Sequence, residues 1–182
     1  PIQDLLDALR QWGVEADSEL GTGCPPVIIK ANQIAGGSAT VAGNISSQYL
    51  SGLLMAAPYA RGIAQGTEPS EQSELSRLEV SGDLVSRPYV DMTIAIMREF
   101  GAEVREEKNG FVIPARQVYQ SKTYAIEPDA SAASYFWAAA AITGGKVLVE
   151  GLDRDALQGD VAFCDCLQVT SREVYAYCVT ID

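Results

Sequence analysis

The sequence predicts an α/β (α+β) fold built from a repeated strand-to-helix construction, and three stretches carry that prediction. Ser38-Ala39-Thr40-Val41-Ala42 alternates small, polar and β-branched residues, as a short strand does. It leads through Gly43-Asn44-Ile45-Ser46-Ser47-Gln48 into the apolar run Tyr49–Ala57, which stops before Pro58. Leu78–Val85 leads in the same way through Ser86-Arg87-Pro88-Tyr89 into the amphipathic segment Val90–Phe100, closed by Gly101. Tyr124–Glu127 leads through Pro128-Asp129-Ala130-Ser131 into the helix Ala132–Ala141. Each junction carries serine, and recurrence of one construction marks an internally repeated architecture.

The other elements follow in chain order. Ile2–Gln11 reads as a helix with Pro1 ahead of it and Gly13 just after. Val27-Ile28-Ile29 is a short strand following the Cys24-Pro25-Pro26 turn. Gly62–Ser76 is polar and acidic and reads as an exposed loop. Glu103-Val104-Arg105 and Phe111-Val112-Ile113 flank Lys108-Asn109-Gly110, which signals a hairpin. Lys146–Glu150 is a further strand, Asp129 a cap for the helix after it, and Asp160 a cap for a helix starting at Val161.

Composition excludes several classes of function. The 182 residues are 47% hydrophobic, ample for a core, and no apolar run approaches a membrane span. The net charge of −11 argues against nucleic acid as a partner, because a basic face supplies most of that affinity. There is no histidine, and Cys24, Cys164, Cys166 and Cys178 lack metal-site spacing, so a zinc site is not expected. The cysteines read as reduced thiols of a cytoplasmic protein. The initial Pro1 implies that the native initiator lies elsewhere.

The junctions have a chemistry of their own. Ser46 or Ser47 can cap the helix that follows, and free N–H groups of a first helical turn attract phosphate or carboxylate. From these residues alone two readings stand: an ordinary N-cap, or an anion site. Ser86 and Tyr89 are open to the same pair of readings, a cap and a core aromatic on one side, ligand contacts on the other.

The segments GNISSQYLSGLLMAAPYA, SGDLVSRPYVDMTIAIMREFGAEV, EPDASAASYFWAAAAITGG and EGLDRDALQGDVAF, together with PIQDLLDALRQWGVEAD and GTGCPPVII, resemble the 5-enolpyruvylshikimate-3-phosphate synthase family. They stand in that family's order and extend to about Leu167. The resemblance implies repeated βαβαββ-type units of the enolpyruvyl transferase fold, incomplete relative to the full two-domain enzyme. Residues 1–125 correspond to the later part of the first domain and 126–182 to the start of the second, with a tail from about 168 that departs from the family.

The implied reaction transfers the carboxyvinyl group of phosphoenolpyruvate to the 5-hydroxyl of shikimate 3-phosphate and releases phosphate, without metal or organic cofactor. Ser46 and Ser47 resemble the serines that bind the substrate phosphate, and Gln48 a glutamine beside the phosphoenolpyruvate pocket. Ser86 resembles a further phosphate-contacting serine, and Tyr89 the tyrosine that packs on the shikimate ring. Both substrates are anions, so in this acidic chain helix N-termini and a few cations such as Arg10 and Arg87 are expected to supply the field.

The family's acid, base and lysine fall outside these residues. The expectation is therefore a truncated synthase carrying a substrate half-site, with a non-catalytic phosphate-ligand-binding or scaffold module of the same origin as the alternative. Helix 132–141 is apolar nearly all round. It is expected to be covered by self-association, by a complementing fragment, or by Glu173–Ile181 acting as a replacement strand.

Overall fold

The computed structural model describes residues 1–62, 74–170 and 175–179, with 168–170 and 175–179 as backbone. Its contacts divide the chain into two compact units, Pro1–Lys122 and Thr123–Asp182.

In the first unit, helix α1 (Gln3–Gln11) places Leu6 and Ala8 inside and ends at the buried Trp12, followed by Gly13 at φ +78°. Strands β1 (Glu15–Ser18) and β2 (Val27–Lys30) form a two-stranded antiparallel ribbon. The main sheet has the order β3-β4-β6-β5, from β3 (Gly37–Ala42), β4 (Leu75–Ser81), β5 (Arg105–Glu107) and β6 (Gly110–Pro114). Helices α2 (Ser47–Ala56) and α3 (Arg87–Glu99) follow β3 and β4. The order β3-α2-β4-α3-β5-β6 is one complete βαβαββ unit, as expected.

Alternation in the strands and helical spacing in α2 and α3 feed a single core. Ala39 and Val41 from β3, Leu78 from β4, and Phe111 and Ile113 from β6 join Leu50, Leu53 and Leu54 of α2 and Val90, Ile94 and Met97 of α3. Among the described residues β3 is an edge strand, and α1 packs along it. Trp12 Nε1 donates to Gly37 O at 3.0 Å, and the Gln11 carboxamide accepts from Thr40 N–H at 2.9 Å. Gln11 thus stands in for part of a neighbouring strand.

In the second unit, helix α4 (Ala130–Thr143) is capped by Asp129, whose carboxylate accepts from Ala132 N–H at 2.9 Å. It ends at Gly144 in the left-handed region. Strand β7 (Lys146–Glu150) pairs in parallel with β8 (Tyr175–Val179), and helix α5 (Phe163–Thr170) precedes β8. Ala130, Ala133, Trp137, Leu152 and Cys164 form the core, and Gln158 bridges Ala130 N–H (2.8 Å) and Pro128 O (2.7 Å).

Several expectations are corrected. Residues 124–127 form no strand; Ile126 is 87% exposed, and an extended segment becomes a strand only by pairing with a neighbour. Strand β4 begins and ends earlier than the sequence suggests: it takes in Leu75 and the fully buried Ser76 from the expected loop and stops at Ser81. Most of that loop, 63–73, lies outside the described residues. The first hairpin strand starts at Arg105, not Glu103, and the helix expected from Val161 begins as a 3-10 turn, Gly159–Ala162, that runs directly into α5 at Phe163. The Asp160 carboxylate accepts from Ser131 Oγ at 2.5 Å. The tail does supply a strand, β8, yet Tyr135, Phe136 and Ile142 of α4 remain 62–85% exposed.

Candidate functional site

Strands β3 and β4 run parallel with Ala42 opposite Ser81, so the loops leading to α2 and α3 leave the sheet at the same end of the strands. Gly43 joins those loops. Its N–H donates to Ser81 O at 2.9 Å, and its carbonyl accepts from Val85 N–H at 3.1 Å. A Cβ at this position would lie 2.6 Å from Val80 Cγ1 and 2.9 Å from Asp83 O, so the approach requires glycine. Farther along, Ser51 Oγ and Thr93 Oγ1 are 2.8 Å apart, linking the two helices within about two turns of their starts.

The first helix start carries Ser46, Ser47 and Gln48. Ser46 is the N-cap, in extended conformation, and its Oγ accepts from Gln48 N–H at 3.2 Å. The capping reading therefore holds for the Ser46 side chain. Ser47 is half-buried and Gln48 exposed. Among the described residues the Ser47 hydroxyl and the Gln48 carboxamide have no hydrogen-bond partner.

The second helix start carries Ser86 and Tyr89, and here both simpler readings fail. Ser86 is the N-cap residue, but its hydroxyl makes no capping bond; its carbonyl accepts from Tyr89 N–H at 3.1 Å. Its backbone is left-handed, φ 57° and ψ 38°, which costs a non-glycine residue about 1–2 kcal/mol. Tyr89 is 45% exposed and is no core aromatic.

The expected cations are already engaged. Arg87 donates from Nε to Asp91 Oδ1 at 2.6 Å and from Nη2 to Glu106, with its guanidinium 5.9 Å from the centre of the Phe111 ring. The Asp91 bond, then the Glu106 bond, holds its pKa above the ordinary arginine value. Arg10 is paired with Asp7 and Asp17, each at 2.6 Å, and its pKa is raised chiefly by Asp17. A cleft of about 200 Å³ beside α3 is lined by Asp83, Glu106 and Glu107 together with Arg87 and Lys108. Neutral donors and the two helix N-termini remain, and neither first turn contains an acidic residue of its own.

Sequence reading names Ser46, Ser47, Gln48, Ser86 and Tyr89, and the structure sets them at the starts of α2 and α3, which follow the C-terminal ends of the neighbouring strands β3 and β4. It misses Gly43, Ser51 and Thr93, which hold those loops and helices together. The available signal is spacing: Ser51 and Thr93 each lie four residues after a site residue, on the same helical face.

A sequence profile of the family EPSP synthase (3-phosphoshikimate 1-carboxyvinyltransferase) matches residues 1–177. A 3-phosphoshikimate 1-carboxyvinyltransferase of Sulfurovum sp. (strain NBC37-1) is 46% identical over 176 residues, covering 96% of this chain and 38% of the relative. The chloroplastic protein of that name from Solanum lycopersicum is 45% identical over 179 residues, covering 96% and 32%. The chain therefore spans about two fifths or less of these relatives' length. The solved structure of EPSP synthase from Acinetobacter baumannii shares the fold at a TM-score of 0.57 and 21% identity, over 80% of this chain and 28% of that one. By these matches and its βαβαββ architecture, the chain belongs to the EPSP synthase (3-phosphoshikimate 1-carboxyvinyltransferase) family.

Proposed function

We propose that this chain is the central part of a synthase that transfers the carboxyvinyl group of phosphoenolpyruvate to shikimate 3-phosphate, and that its contribution is a substrate-binding half-site. The observation that carries the reading is the juxtaposition of two serine-bearing helix starts, joined through Gly43 and clear of acidic residues in their first turns. In this reading Ser46, Ser47 and Ser86 hold the phosphate of shikimate 3-phosphate with hydroxyl and backbone donors. Gln48 reaches toward phosphoenolpyruvate, and the exposed face of Tyr89 covers the carbocycle. The first unit then belongs to the first domain of the enzyme and the second unit opens the second domain.

In this reading the chain's own residues bind and orient, and proton transfer comes from groups beyond these 182 residues. The isolated chain is therefore expected to give no phosphate release dependent on both substrates. Calorimetry tests the half-site directly. Shikimate 3-phosphate binds more tightly than shikimate if the serines hold the phosphate; equal affinities, or no binding of either, defeat the reading.

A further inference from the structure

The Thr93 hydroxyl donates to Tyr89 O, one turn back in α3, at 2.8 Å. A hydroxyl has a single proton. With that proton committed, the contact at 2.8 Å to Ser51 has one direction: Ser51 Oγ–H donates to Thr93 Oγ1. The result is a directed chain from α2 through Thr93 to the backbone of Tyr89. Ser51 stands one turn after Ser47, and Thr93 one turn after Tyr89. Below the site the loops are tied by the two Gly43 backbone bonds; above it the helices are tied by these hydroxyls.

We propose that Ser51 and Thr93 are positioning residues for the substrate site: their hydroxyl bridge sets the separation of the two helix starts so that one ligand spans both. The proposal rests on the half-site reading above, and it goes beyond it by assigning a role to residues that touch no ligand. A polar pair between otherwise apolar helix faces is selective in a way that apolar packing is not. It has one favourable separation, since a hydrogen bond weakens steeply away from its optimal distance and angle.

The test uses the full chain with Ser51→Ala, Thr93→Val, the double variant, and Thr93→Ser, which keeps the hydroxyl. Three quantities are measured: shikimate 3-phosphate affinity by calorimetry, the thermal unfolding midpoint, and hydrogen exchange of residues 46–51 and 86–93 without ligand. Each hydroxyl deletion is expected to weaken binding about fivefold, the range of one net hydrogen bond. The double variant should lose little more than either single one, because both break the same bridge. Thr93→Ser should bind within about twofold of the parent, and exchange should rise at both helix starts in the deletion variants alone. If affinity is unchanged while the unfolding midpoint falls, the pair is merely structural and the proposal is overturned. If the parent chain binds no shikimate 3-phosphate, the half-site reading fails by itself. The exchange data then decide the bridge: protection lost at both helix starts upholds it, and unchanged protection removes it.

Discussion

Substituting Gly43→Ala perturbs the candidate site at its joint. The added methyl would sit 2.6 Å from Val80 Cγ1, 2.9 Å from Asp83 O and 3.2 Å from Asp83 C, all inside ordinary contact distance. Val80 can turn only partly, because it packs against the core. The Asp83 atoms are backbone and move only with the loop. Relief therefore requires the two loops to part by several tenths of an ångström or more, which strains Gly43 N–H to Ser81 O and Val85 N–H to Gly43 O. Overpacking costs about 1–3 kcal/mol and a weakened hydrogen bond about 1 kcal/mol. A loss of about 2–3 kcal/mol is expected, roughly 6–12 °C in unfolding midpoint for a unit of this size. Thermal unfolding followed through tryptophan fluorescence reads it, since Trp12 is fully buried in this unit. Gly52→Ala is the matched control. That site is an exposed helical glycine with nothing within 4 Å of an added methyl group, so alanine should stabilise by about 0.5–1 kcal/mol. A Gly43→Ala protein as stable as the parent, with unaltered shikimate 3-phosphate affinity, refutes the reasoning about the joint.

Three further outcomes are expected. Gly110→Ala should destabilise more than Gly43→Ala, by about 3 kcal/mol or more, because its Cβ would lie 2.0 Å from Leu78 O in the adjacent strand; urea unfolding measures it. Asp129→Ala removes the bond to Ala132 N–H and should cost about 1 kcal/mol, seen as faster hydrogen exchange in the first turn of α4. Tyr119 has its pKa raised above 10.0 by burial, then by Tyr59, and donates to Met55 O at 3.1 Å. The folded state thus favours the neutral phenol: its stabilisation is complete below the ordinary tyrosine value and is lost as pH rises through the folded one. Alkaline unfolding of Tyr119→Phe should show a shallower fall of stability with pH than the parent, and parallel slopes would show that Tyr119 carries no such linkage.

The fold was legible where local pattern and tertiary role coincide. Ala39 and Val41 alternate with exposed neighbours, Val90, Ile94 and Met97 keep helical spacing, and both point to the core they build. It was illegible where pairing decides. Residues 124–127 have the composition of a strand but no strand, and Ser76 is polar yet fully buried inside β4. Gly110 illustrates a right conclusion with the wrong physics: sequence assigns it to the hairpin turn, whereas the structure needs it for close approach to Leu78. At the candidate site the serines announce themselves as helix starts. The state of Arg87 does not, because its partner Glu106 comes from another element.

The central claim is that one ligand occupies both helix starts. An isotope-labelled chain titrated with shikimate 3-phosphate tests it most directly by following backbone amide resonances. The account predicts that amides at 46–48 and at 86–89 shift together, with one dissociation constant, and that Ser47→Ala weakens the response at both. Shifts confined to one helix start, or centred on the second unit, contradict it.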